Sequence, residues 1–150
     1  MYFVSNSHEN FYNANINKMS DINKDCYHKA LFYALGMTDN CRENINMLYD
    51  YATGCVKQIK GTEYAWITGT DIRIIRLAYN LYNGGCPTAI EIDNQEERED
   101  EIKNYLIPNI FGYLTPELIE GAIEAIKIRF MENDIYFISV SYTHLTLPTN

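Results

Sequence analysis

The stretch Thr68 to Gly85, TGTDIRIIRLAYNLYNGG, constrains the chain most, because the start, face and stop of one helix agree within it. Thr68 is placed to cap, and Asp71, three residues on, sits where a carboxylate meets free backbone N–H groups at the positive end of the helix dipole. Ile74, Ile75, Ala78, Leu81 and Tyr82 then fall at the spacing of a helix face pressed on a core. Gly84 and Gly85 end the helix, and Pro87 blocks its resumption. Such a face needs a partner, and Thr115 to Phe130 supplies one, with Thr115 as cap, Pro116 at the first helical position and Glu117 in the first turn. At about 100° per residue, Leu118, Ile119, Ala122, Ile123, Ile126 and Phe130 share an arc of about 140°, which predicts that this arc turns inward. The core is therefore expected to join Ile74, Ala78 and Leu81 to Leu118, Ala122 and Ile126.

Shorter patterns extend the same architecture. A helix from about Ser7 to Met19 carries Asn6 as cap and Phe11, Tyr12, Ile16 and Met19 on one face. A second, from about Lys24 to Leu35, turns Cys26, Tyr27, Ala30, Leu31, Ala34 and Leu35 inward and stops at Gly36, read as a left-handed cap. A third, from about Asn40 to Tyr51, has Asn40 and Glu43 at capping-box spacing and Ile45, Leu48 and Tyr49 as its stripe. Asp93 and Glu96 are spaced to open a further helix through Tyr105, and short strands fit Tyr2 to Ser5, Thr88 to Ile92 and Ile135 to Ser139. The fold class read from this is mainly α: a single compact domain of about five helices, with room for a few short strands.

That domain is expected to occupy residues 1–139. The last eleven residues, VSYTHLTLPTN from Val140 to Asn150, resemble the translation of a sequencing-library adapter, and they lack the Ile and Lys that the preceding chain uses freely. About 139 residues bury an ordinary core without disulfides or metals. A hydrophobic fraction of 47% and a charged fraction of 21% describe a globular chain. The N-terminus has no basic leader before an apolar stretch, and no run approaches the roughly 20 apolar residues of a membrane span. A cytosolic protein with no membrane association is expected, its four cysteines free thiols. The net charge of -8 is concentrated between Glu91 and Glu101, where seven acids face Arg98 alone, and this block reads as a solvated helix start or loop. Without clustered Lys and Arg, direct nucleic-acid binding is disfavoured.

Few residues carry candidate chemistry. Cys26 and His28, two apart on one helix, point about 200° away from each other and cannot share an ion, so no metal and no cofactor is expected. They read as a buried thiol and a half-exposed imidazole. Cys41, in the first turn of its helix beside Arg42, is the best nucleophile candidate, since that environment lowers a thiol pKa; the plainer alternative is a small residue filling a gap. Thr68 to Asp71, TGTD, opens a helix but is no phosphate cradle, because Asp71 repels an anion there and no Lys follows. Arg73, Arg76, Asn80 and Asn83 line one face of the Thr68 to Gly85 helix, opposite its apolar side. As a solvated strip they are ordinary; as a partner-binding surface they suit an interface rim or a carboxylate, and their replacement would then leave stability nearly unchanged. Tyr79, Tyr82, Tyr105 and Tyr113 belong either to the core or to an interface.

The opening MYFVSNSHENFY, the helix ALFYALG, the segments MLYDYATGCVK and IRLAYNLYNGG, and AIKIRF near the end resemble a family of uncharacterised proteins, a domain of unknown function of low-GC Gram-positive bacteria and their phages. The resemblance runs from about Met1 to Phe130. It implies no activity and points to an accessory protein of a prophage or mobile element. With no catalytic constellation, the leading expectation is a small protein-binding factor whose partner is another protein and whose oligomeric state is open. The alternative is a thiol-dependent enzyme or redox-sensitive factor using Cys41.

Overall fold

The computed structural model describes residues 1–21, 24–59 and 64–131. The chain is mainly helical, and its described residues form α1 (Asn6–Lys18), α2 (Cys26–Leu35), α3 (Asp39–Glu43), α4 (Ile45–Leu48), β1 (Tyr49–Asp50), β2 (Cys55–Val56), α5 (Gly69–Asn83), α6 (Gln95–Lys103), α7 (Ile107–Phe111) and α8 (Pro116–Met131). The strand expected at Ile135 to Ser139 and the tail from Val140 lie outside them.

Helix α2 is the centre. From Ala30 to Leu35 every residue is buried, as a segment apolar on all sides must be, and α1, α5 and α8 all pack on it. Asp25 caps it by accepting from the His28 N–H at 2.8 Å, so Cys26 starts the helix and is only half-buried, while Tyr27 is exposed. The expected left-handed stop is also corrected: Gly36 has φ of -71°. Its glycine is required by space, because a Cβ would meet His8 Cδ2 and Phe11 Cδ1 at 2.8 Å each.

Helix α5 forms as the sequence predicts. The Thr68 hydroxyl accepts from the Asp71 N–H at 3.2 Å and Asp71 Oδ2 accepts from the Thr68 N–H at 2.9 Å. Gly84 closes the helix at φ of +72°, and Ile74, Ile75, Ala78 and Leu81 are buried. Helix α1 is capped one residue earlier than expected, by Ser5, and turns Tyr12 inward with Phe11, Ile16 and Met19 against the core.

Elsewhere local patterns yield to packing. The helix expected from Asn40 to Tyr51 is two short helices, α3 capped by Thr38, followed by an antiparallel hairpin pairing Tyr49 with Val56 and Asp50 with Cys55. Side chains from other elements hold this hairpin. The Tyr79 hydroxyl lies 2.9 Å from Leu48 O and 2.7 Å from Lys57 O, and His28 Nε2 and the Tyr82 hydroxyl reach Gly54 O at 3.0 and 3.2 Å. Asn94 rather than Asp93 caps α6. Tyr2 to Ser5 and Thr88 to Ile92 form no strands.

Helix α8 keeps its expected start but not its expected facing. Gly121, Ala122, Ala125 and Ile128 are buried, whereas Ile123, Ile126 and Phe130 are exposed. The inward arc is thus turned by about 100°, one residue of rotation. The reason is close approach: small residues let α8 lie against α2 and its neighbours, with Gly121 facing Met37 and Val4.

Candidate interaction site on the outer edge of α5

The four polar residues of α5 hold neighbouring segments more than they face water. Arg76 Nε and Nη2 donate to Glu101 Oε1 and Oε2 at 2.8 and 2.9 Å, a two-pronged ion pair whose side chains are 11% and 10% exposed. Thr88 Oγ1 donates to Glu101 Oε1 at 2.6 Å and Asn104 Nδ2 to Oε2 at 3.2 Å. Because the Thr88 proton is spent on the carboxylate, the Tyr105 hydroxyl is the donor in its 2.7 Å contact with Thr88 Oγ1. Burial alone raises the Glu101 pKa, but the Arg76, Thr88 and Asn104 donors hold it below its usual value. This network ties α6 to α5. The acidic segment is otherwise exposed as expected, and Glu101 is its buried exception.

Arg76 therefore is not the outward residue that the sequence pattern implied, and its replacement strips a buried carboxylate of its counter-ion. Arg73 donates to Asn109 O and its guanidinium lies 4.8 Å over the Tyr113 ring. Asn80 Nδ2 donates to Gly85 O at 3.0 Å, and Asn83 Oδ1 accepts from the Gly85 N–H at 2.9 Å while Asn83 stays exposed. The strip thus fastens α6, α7 and the turn after α5. The segment around α7 that Arg73 holds also exposes large apolar side chains: Tyr113 is 83% exposed, Ile107 72% and Leu106 58%. The sequence leaves Tyr113 between core and interface and does not mark Leu106 or Ile107. Their only signal was apolar side chains around Pro108 and Gly112, in a segment too short to need a core of its own. Of the other tyrosines, Tyr79 is buried, Tyr82 half-buried and Tyr105 bound to Thr88, so these three serve the fold.

The thiol candidate loses its chemical basis. Cys41 is fully buried, and desolvation pushes its pKa up to about 12 despite the Thr38 hydrogen bond and the Arg42 charge that pull it down. Arg42 is spent elsewhere, donating to Gly36 O at 2.7 Å and to Asp39. The two histidines among the described residues, His8 and His28, are also committed. His8 Nδ1 accepts from the Val4 N–H at 3.1 Å and Nε2 donates to Tyr33 O at 2.7 Å. His28 is buried, not half-exposed, with Nδ1 3.0 Å from Asp25 Oδ1 and Nε2 on Gly54 O. Among the described residues no three His, Cys, Asp or Glu side chains converge on a point where an ion fits. Among the same residues no helix is long and apolar enough to cross a membrane.

No curated protein and no solved structure matches the chain. Residues 1–139 match the family described as "Family of unknown function (DUF6075)", and on that extent the chain belongs to this family.

Proposed function

We propose that the chain is a small cytosolic accessory factor of a prophage or mobile element that acts by binding another protein, and that the contact is made at the edge formed by Arg73, Tyr113, Ile107 and Leu106. The observation that carries this reading is Tyr113, a large aromatic ring 83% exposed with a guanidinium set over it. Aromatic and Arg side chains beside apolar ones are what the centre of a protein interface uses. Of the α5 polar strip, Arg73 belongs to this edge through its contacts with Asn109 O and the Tyr113 ring, whereas Arg76 is held by Glu101 and Asn80 and Asn83 by the turn after α5. The partner is taken to be a protein, since the concentrated acidity of α6 repels phosphate backbones.

The test is a photo-reactive amino acid placed at Tyr113 in the full chain and irradiated in cells, with the same probe at Glu97 as control. One defined protein adduct at Tyr113 and none at Glu97 is expected, lost again when Ile107→Asp is added. No adduct at Tyr113, or equal labelling at both positions, would refute the reading.

A further inference from the structure

Helix α8 is apolar on two sides. One side, Gly121, Ala122, Ala125 and Ile128, is buried in the domain. The other carries Ile119, Ile123, Ile126 and Phe130, of which the last three are 45%, 36% and 56% exposed. These four recur at steps of four, three and four residues, which keeps them within a stripe about 60° wide at about 100° per residue. That is the spacing with which one helix packs along another. Single exposed isoleucines need no explanation, but a continuous exposed seam on a helix already buried along its other side does.

We propose that this seam is a self-association surface, on which α8 of a second copy packs antiparallel about a two-fold axis. Charge decides both occupant and direction. Glu120 and Lys127 stand on one flank of the seam, one heptad apart. The opposite flank is Ala122, which is buried, and Arg129, whose Nε donates to Leu81 O at 2.9 Å. A parallel partner would bring the Lys127 flank against the Ala122 and Arg129 flank, which the domain already covers. An antiparallel partner brings like flank to like flank running in opposite directions. Glu120 then meets Lys127 of the second copy, and Lys127 meets its Glu120, so the symmetry makes each pair twice.

The surface beside that flank agrees. An open groove of about 230 Å³ is lined by Tyr2, Glu120, Ile123, Glu124 and Lys127. Its four α8 residues have the i, i+3, i+4, i+7 spacing of a hole that receives one side chain of a facing helix. Two carboxylates at its rim suit the incoming Lys127 ammonium. Because the same patch serves both copies, the contact closes on itself and yields a dimer and nothing larger. This inference uses neither Arg73 nor Tyr113, so it and the proposed hetero-partner site fail independently.

Sedimentation velocity on the full chain across the micromolar range tests it. A concentration-dependent dimer is expected. Ile123→Asp combined with Ile126→Asp, both at exposed positions, should give a monomer with unchanged helical circular dichroism. Glu120→Lys and Lys127→Glu should each weaken the dimer about ten-fold, a modest effect of the size exposed pairs give when two change together. The double variant Glu120→Lys with Lys127→Glu should recover the dimer, which no merely structural role of these residues would produce. A monomer throughout the range overturns the proposal and leaves the seam to another protein or another part of this chain. A dimer indifferent to the isoleucine pair, or one that the double swap does not restore, overturns it equally.

Discussion

As the pH falls below 6.5, His8 should be a principal source of this protein's lost stability. Its ring is buried, lies 4.5 Å from the Tyr33 ring and 5.1 Å from that of Phe3, and spends both nitrogens on the backbone. Nδ1 accepts from the Val4 N–H, so a second proton has to go where an N–H already points. Burial is the main cause that lowers the His8 pKa from 6.5 to about 4; the Arg42 charge adds to it and the Tyr33 carbonyl opposes it. The folded value lies below the unfolded one, so the unfolded chain takes the proton first. Stability is therefore complete above 6.5 and is lost as the pH falls from 6.5 toward 4. At about 1.4 kcal/mol per unit the full loss is about 3 kcal/mol, a large part of a small domain's margin. Glu101, which its donors hold below its usual value, also loses stabilisation in acid, so the wild-type curve alone is not diagnostic. His8→Gln isolates the term, because an amide keeps one acceptor and one donor but does not titrate. Urea unfolding of both proteins at a series of pH values gives two stability curves, and the wild-type advantage should shrink by about 3 kcal/mol over that interval. An advantage that stays constant with pH would refute the reasoning.

Three further outcomes follow from burial. Arg76→Ala or Glu101→Ala alone should cost about 3–5 kcal/mol in thermal or urea unfolding by leaving one buried charge unpaired, and a loss under about 1 kcal/mol would mean that α6 is not anchored there. Ile128→Ala should cost about 2–5 kcal/mol and Ile126→Ala, in the monomer, under about 1 kcal/mol; the reverse order would show that the facing of α8 is wrong. A thiol reagent should label the exposed Cys55 promptly and Cys41 only as the protein unfolds, and equal rates would contradict the buried, proton-retaining Cys41.

What the sequence discloses is what local chemistry decides. Helix α5 is legible because its cap, its apolar repeat and its terminal Gly84 each act within a few residues. The start of α8 is legible for the same reason, through Thr115 and Pro116. Its facing is not, because hydrophobicity ranks Ile123 and Ile126 above Gly121 and Ala125, while the distance between packed helices rewards the smaller side chains. The hairpin at Tyr49 to Val56 is hidden too: its strands are two residues each, too short to show alternation. The bonds that fix it come from Tyr79, His28 and Tyr82, far along the chain.

The candidate site shows the same division more sharply. A helical wheel places Arg73, Arg76, Asn80 and Asn83 opposite the apolar face, and on an isolated helix that side meets water. In the folded chain α6 and α7 return to it, so Arg76 finds Glu101 25 residues later and Arg73 finds Asn109 36 residues later. Nothing local marks Glu101 among seven acids as the buried one; the return path of the chain selects it. Once these contacts are assigned to folding, the polar strip accounts for itself, and the side chains without such an account are apolar. Those are Tyr113 and Ile107 at one edge and the Ile123 to Phe130 seam at another, each in a place where the domain would hide it if the domain were all it had to pack against.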